Sequence, residues 1–193
     1  MRIRRVLLFA VAGIIAGGAG GLLLPSFSGR VIESFDFRVL AHLALLGAML
    51  AAAGPIIERH WRKLAVSVVV GAVTMVALAV GIMGVAHIET PWFVGVGIIV
   101  LASAIFPAVV ALADCLADED YRAIIYETLF SALGGALGLA ATWPLLSLQN
   151  DRLRVALVSA LYGGVIWFMM AVGKWEEESE ERLEAEETGK IRN

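Results

Sequence analysis

Long apolar runs that carry almost no charge alternate along this chain with short clusters of charged residues. About 20 apolar residues in a helix cross the hydrocarbon core of a bilayer, and each run is long enough for one crossing. The 60% hydrophobic content and the mean hydropathy of +0.83 exclude water-soluble globular classes. The sequence predicts an all-α, polytopic transmembrane helical bundle with six spans, approximately 6–24, 39–57, 64–86, 91–113, 121–147 and 155–173.

Basic residues are distributed unevenly between the two sides that this topology defines. The N-terminus, the second and fourth loops and the C-terminal segment hold 11 Lys and Arg residues, whereas the other three loops hold 4. Lys and Arg resist translocation, so the richer side faces the cytoplasm. We expect both termini to be cytoplasmic, in a plasma (inner) membrane. Residues 1–174 form the predicted transmembrane domain, and residues 175–193 form an acidic cytoplasmic tail with a short charged helix.

Glycines recur at intervals of four on two of the predicted spans. Gly13, Gly17 and Gly21 share one face of the first span, and Gly134 and Gly138 form a G-x-x-x-G pattern in the fifth. Glycine allows two helix backbones to approach closely in a membrane, whereas lipid gains nothing from contact with it. We therefore predict that these five residues are helix-packing positions.

Polar residues share the small-residue faces of the third and fifth spans, and such stripes suit either a solute pathway or contact with a neighbouring helix. Hydroxyl side chains in such stripes have an alternative role, because they often bond to a carbonyl of their own helix. The predicted pathway-lining residues are Glu127, Ser131, Thr142, Ser67, Thr74 and Asp114.

Glu127 and Asp114 are the acidic residues that the sequence places nearest to membrane depth. Charged side chains inside a membrane are costly and often functional. As a pair they could line an inner vestibule or hold a cation, together with Asp118 and Asp120. The alternative is that both are interfacial and reach water, with Glu127 paired to Arg122.

Pro107 lies inside the fourth span. Proline has no backbone N–H, so it cannot donate the helical hydrogen bond to the carbonyl of Ser103. We expect a kink near this position and a side chain or water molecule that satisfies the freed carbonyl.

Motifs for chemistry are absent from the sequence. No H-E-x-x-H, G-x-S-x-G or G-x-x-x-x-G-K-[ST] pattern occurs, and the single cysteine, Cys115, excludes an intrachain disulfide and a C-x-x-C site. His42, His87 and Glu89 do not have metal-ligand spacing. We expect no catalytic residues, no metal, no cofactor and no nucleic-acid partner, and the chain is not predicted to be an enzyme.

Two functions remain compatible with this sequence. The first is a small permease or channel for an ion or small solute, favoured by the polar stripes on the third and fifth spans. The second is a non-catalytic membrane anchor or assembly subunit that binds a partner through its cytoplasmic loops and acidic tail. Besides the lipid bilayer, we expect either a homo-oligomer or a partner membrane or cytoplasmic protein.

The predicted topology can be tested by cysteine labelling in intact cells. Cysteines at Ser28, Glu89 and Gln149 should react with a membrane-impermeant reagent from outside, because these positions lie in the predicted external loops. Cysteines at Arg62 and Glu180 should stay unlabelled, as should one at Asp118. A reversed result at any of these positions would contradict the six-span topology.

Overall fold

The computed structural model describes residues 2–23, 37–86, 91–117, 121 and 123–191. Within these ranges the chain is helical and contains no strand, in agreement with the predicted all-α class. Six helices are long and apolar enough to cross a membrane. They are α1 (Arg2–Leu23), α2 (Phe37–Glu58), α3 (Trp61–Ala86), α4 (Trp92–Ala117), α5 (Ala123–Thr142, followed by a 3-10 turn at Trp143–Ser147) and α6 (Asp151–Ile191).

The helices form a ring in which each packs against its neighbours in sequence, and α6 closes the ring by packing along α1. The contacts of α1 with α2 and of α3 with α4 are less extensive than the other contacts between neighbours. We call the end of the bundle at which α1 begins the proximal end, and the end at which α1 finishes the distal end. Successive helices run in opposite directions between these two ends, as the charged contacts described below establish.

The predicted glycine face of α1 lies directly against α6. A Cβ atom added at Gly13 would overlap the backbone carbonyl of Gly163, and one added at Gly17 would overlap the carbonyl of Ser159. At Gly21 the added atom would lie 2.9 Å from the Cα of Ala156. Only glycine allows the two backbones to approach this closely.

The glycines of α5 face two different helices. An added Cβ would lie 2.9 Å from Met169 Cβ at Gly134 and 2.9 Å from the Tyr162 ring at Gly138, both on α6. At Gly135 it would overlap the Ser103 carbonyl on α4. The small face of α5 therefore fits between α4 and α6.

Trp167 of α6 fills the centre of the bundle. Its ring packs beside Phe9 of α1 with centroids 5.9 Å apart, and it covers Gly54 of α2. The indole Nε1 donates a 2.8 Å hydrogen bond to the Leu50 carbonyl, so its polar group is satisfied inside the core. This one side chain joins α1, α2 and α6.

The last helix does not end with the sixth span. α6 continues without a break for 41 residues to Ile191, so the charged segment after Lys174 extends the span as one helix. At 1.5 Å per residue this helix is about 60 Å long, well beyond the thickness of a bilayer. Residues 192 and 193 lie outside the described ranges.

The close contact between α1 and α6 predicts opposite effects for two adjacent glycines. Gly17→Ala should lower the melting temperature in detergent, because the new methyl group overlaps the Ser159 carbonyl. Gly18→Ala is the matched control, since its Cβ would meet only the Ala160 Cβ at an ordinary 3.4 Å. Both changes gain about 1 kcal/mol of helix propensity, so Gly18→Ala should be neutral or stabilising. Equal melting temperatures for the two variants would contradict this packing.

Candidate functional site

Charged side chains from all six helices meet near the proximal end of the bundle. They come from the start of α1, α3 and α5, from the end of α2 and α4, and from α6 where it leaves the core. We call this group the ionic cluster; its members are Arg5, Glu58, Lys63, Asp114, Glu127 and Lys174. Three are acidic and three are basic, so the group is balanced in charge.

Glu58 is at the centre of the cluster. One carboxylate oxygen accepts a 2.7 Å hydrogen bond from Lys174 Nζ and lies 3.8 Å from an Arg5 nitrogen, and the other lies 3.6 Å from Lys63 Nζ. The side chains of Glu58 and Lys174 are 12% and 16% exposed, whereas that of Arg5 is 54% exposed. The Glu58–Lys174 pair is therefore the shielded part, and Arg5 forms its rim.

Glu127 joins the cluster through the same lysine. One of its oxygens lies 3.6 Å from Lys174 Nζ, and the other accepts a 3.5 Å hydrogen bond from the Cys115 thiol. Lys174 Nζ also lies 6.0 Å from the centre of the Phe9 ring, at the limit of a cation–π contact. A single ammonium group thus links α6 to α1, α2 and α5.

Asp114 on α4 is contacted by Ser67 of α3. The hydroxyl of Ser67 lies within hydrogen-bonding distance of both the Asp114 carboxylate and, at 2.7 Å, the Lys63 carbonyl. A hydroxyl has one proton, so it donates to one of these acceptors at a time. This side-chain contact crosses the α3–α4 interface, one of the two less extensive interfaces of the ring.

A cavity of about 300 Å³ occupies the distal half of the bundle between α2, α3, α4, α5 and α6. Of its 16 lining residues 12 are apolar, and the other four are Ser103, Thr142, Ser159 and Tyr162. None of the 16 carries a charge. The cavity and the ionic cluster therefore offer different chemical environments at the two ends of the bundle.

Apolar side chains separate the cavity from the cluster. Leu50 and Phe106 line the cavity, and each precedes a cluster residue on its helix by eight positions, namely Glu58 on α2 and Asp114 on α4. Eight helical residues correspond to about 12 Å. The intervening layer contains Trp167, which is 2% exposed, and other buried apolar side chains. The cavity is thus closed toward the proximal end.

The carbonyl freed by Pro107 has a partner in the structure. The phenol of Tyr162 on α6 donates a 2.6 Å hydrogen bond to the Ser103 carbonyl, as expected for an acceptor that proline leaves without its helical donor. Ser103, Phe106 and Tyr162 also line the cavity. The proline position in α4 is therefore coupled directly to α6 at the cavity wall.

The six predicted pathway residues lie in different places. Ser67, Asp114 and Glu127 belong to the proximal end, and Thr142 lines the distal cavity while donating a 2.7 Å bond to the Leu139 carbonyl. Ser131 is fully buried, and its hydroxyl has no hydrogen-bond partner among the described residues. Thr74 is half-buried on α3. Asp118 and Asp120, the other members of the predicted vestibule, lie outside the described residues, as does Arg122, the partner of Glu127 in the alternative interpretation.

Sequence reasoning missed four of the residues that build these sites. The predicted spans place Glu58 and Lys63 in the loop between the second and third spans and Lys174 just beyond the sixth, and no site residue is predicted among these or at Tyr162. For Tyr162 a signal existed, because the Ser103 carbonyl required a donor. Within the described ranges, no group of three or more His, Cys, Asp or Glu residues could hold a metal ion.

Six helices that are long and apolar enough to cross a membrane indicate a multi-pass helical membrane protein. The chain matches no protein-family model, no curated protein and no solved structure. Functional inference therefore depends on the geometry of the ionic cluster and the cavity.

The contact between Tyr162 and the Ser103 carbonyl can be tested by a double-mutant cycle. Tyr162→Phe should cost roughly 1–3 kcal/mol of unfolding free energy, because it leaves a buried carbonyl without a donor. Pro107→Ala supplies a backbone N–H at the position that normally bonds this carbonyl. The double variant should therefore lose less stability than the sum of the single losses. Tyr121→Phe, at a residue that is 68% exposed, is the neutral control. Additive losses, within about 0.5 kcal/mol, would contradict the coupling.

Proposed function

We propose that this chain is a small permease whose solute cavity lies in the distal half and whose closed gate is the ionic cluster. The observation that supports this proposal is the combination of a cavity and a barrier in one ring of helices: an apolar layer closes the cavity toward the proximal end, and beyond this layer charged groups from all six helices meet. A permease that opens to one side of the membrane at a time needs both parts. Under the predicted topology the gate faces the cytoplasm.

The geometry favours a permease over an ion channel. Within the described residues the charged groups of the ionic cluster contact one another or, in the case of Asp114, the Ser67 hydroxyl, and no charged side chain lines the cavity. A channel needs a hydrated path or a row of polar ligands that replaces water around an ion. The apolar layer around Trp167 interrupts any such path. The ionic cluster therefore acts as a closure rather than as a conduction pathway.

The packing also indicates which parts would move. Gly47 of α2 and Gly71 of α3 are in backbone contact, so these two helices form one tight unit. Glycine contacts similarly join α4 to α5, α5 to α6, and α6 to α1. The less extensive interfaces, α1–α2 and α3–α4, lie between these two units. Opening would then be a rigid-body motion of the α2–α3 unit against the other four helices.

Polar contacts of the cluster cross the boundary between the two units. Glu58 of α2 bonds to Lys174 and Arg5, and Ser67 of α3 contacts Asp114. Pro55 lies between Leu50 and the cluster on α2, and Pro107 occupies the equivalent stretch of α4. A helix lacks one backbone hydrogen bond at each proline, so these stretches bend more easily than a helix without proline. Both features suit a gate that opens at the proximal end.

A second candidate is the anchor or assembly subunit. The continuous α6 favours it, because a helix that extends to Ile191 holds its charged segment rigidly away from the bundle. Such a helix suits recognition by a partner protein. This function needs no movement of the ionic cluster, which separates it from the permease.

Thiol accessibility tests the permease. In a Cys115→Ser background, Ala102→Cys places a reporter in the cavity wall. A charged, membrane-impermeant thiol reagent applied from the proximal side should react slowly with this reporter. Lys174→Gln should raise the rate at least about tenfold, which corresponds to about 1.4 kcal/mol of gate opening, since Glu58 and Glu127 lose their shared partner.

Control variants test the alternatives. Glu176→Gln, two positions along the same helix at an exposed site, should leave the rate unchanged, and Lys174→Arg should restore slow labelling. A reporter at Leu101, which is 60% exposed on the outer face of α4, should stay unreactive because it faces lipid. A folded Lys174→Gln protein whose cavity stays unlabelled from the proximal side would overturn the permease. Partner recovery that depends on residues 176–193 would then support the anchor.

A further inference from the structure

The lining of the distal cavity restricts the class of molecule that it can hold. We propose that the cavity binds an uncharged, predominantly apolar small molecule of about the size of one or two aromatic rings. This assignment names the substrate class of the proposed permease, and it rests on that proposed function for transport but not for binding. The charge, the hydrogen-bonding state and the volume of the cavity support this assignment.

Charged ligands lack partners in this cavity. No Lys, Arg, Asp or Glu is among the 16 lining residues, and the ionic cluster begins about 12 Å beyond Leu50 and Phe106. An ion that entered would lose its hydration without gaining a counter-charge, at a cost of several kcal/mol or more. Inorganic ions, carboxylates, phosphates and ammonium compounds are therefore disfavoured.

Uncharged solutes rich in hydrogen-bond acceptors are also poorly matched. Tyr162 donates its proton to the Ser103 carbonyl at 2.6 Å, Ser103 donates to the Val100 carbonyl at 2.7 Å, and Thr142 donates to the Leu139 carbonyl at 2.7 Å. Each of these hydroxyls has only one proton, which is already used. These three hydroxyls can accept a bond from a ligand but have none to give, which leaves the Ser159 hydroxyl as the one lining donor that is not used in this way among the described residues. Sugars and other solutes with several acceptors therefore lose more bonds than they form.

The volume indicates a free small molecule. A dry engineered cavity of about 150 Å³ lined by apolar side chains binds benzene, and this cavity has about 300 Å³. It therefore has room for one or two rings or a short branched hydrocarbon. A membrane phospholipid carries a charged head group, for which the lining offers no partner. We therefore assign the site to a free hydrophobic molecule and treat a lipid chain as the contrary outcome.

Photolabelling in lipid nanodiscs tests the assignment. The probe is an aryl diazirine of about the size of toluene, and the adducts are located by mass spectrometry. Labelling of Met75 and Tyr162 in the cavity wall should fall at least about tenfold in saturating toluene, equivalent to about 1.4 kcal/mol of binding free energy. Labelling of lipid-facing Leu101 should not fall, because partitioning into lipid does not saturate.

Two variants of α3 provide a matched comparison. Ala79 lines the cavity, so Ala79→Phe should fill it and abolish the toluene-sensitive labelling. Ala77 is exposed on the outer face of the same helix, so Ala77→Phe should leave that labelling intact. Equal labelling of the two folded variants, or wild-type labelling that toluene does not reduce, would overturn the proposal. A phospholipid with a diazirine in its chain that labels Met75 and Tyr162 despite excess toluene would identify lipid as the occupant and overturn it as well.

The outcomes for binding and for transport are separable. If Lys174→Gln opens the cavity to the proximal side but toluene does not compete, the substrate class is wrong and the permease stands. If toluene competes but no cluster variant opens the cavity, the binding site stands and the permease is wrong.

Discussion

The hydrogen bond between Glu58 and Lys174 is the interaction on which the proximal end of the bundle depends. Lipid tails are as apolar as the helices, so hydrophobic burial alone gives membrane helices little reason to meet at defined positions. Glu58 contacts basic side chains of α1, α3 and α6, and one of these, Lys174, also contacts Glu127 on α5. Without Lys174, Glu58 would keep Lys63 and Arg5 as partners, but the contact between Glu58 and Glu127 through a shared cation would be lost. Contacts between charged side chains thus determine how the helix ends are positioned at the proximal end of the bundle.

The middle of the bundle is held by a different interaction. At Gly17 against Ser159, and at Gly47 against Gly71, backbones touch with no side chain between them. Water cannot replace these backbone contacts, so they persist or are lost as a whole. Charged groups near an aqueous end can instead exchange their protein partners for water when that end opens. This contrast is why the proposed motion separates the cluster while the backbone contacts within each unit remain intact.

The sequence was sufficient to predict the all-helical class of fold and the number of helices that are able to cross a membrane. Spans of apolar residues fix helix number, and Gly13, Gly17 and Gly134 stand on faces whose period can be read directly. The position of Pro107 also predicted that the Ser103 carbonyl lacks its helical hydrogen bond. The donor could not be predicted, because Tyr162 is 59 positions away and its approach depends on how α4 and α6 cross. The same limit applies to Glu58 and Lys174, since charges at span ends usually face water and a linear pattern does not show which ones turn inward.

The polar stripe of α5 shows how one helix face can serve three environments. Glu127 lies in the ionic cluster, Gly134 and Gly135 touch neighbouring helices, and Thr142 reaches the cavity. Because glycine contacts fix this face on both sides, α5 belongs to the stationary unit of the proposed permease. The link between cavity and gate must then be carried by a helix that moves. Helix α2 meets this requirement: Leu50 lines the cavity and Glu58 centres the cluster, so a ligand that displaces one end of this stretch acts on the other.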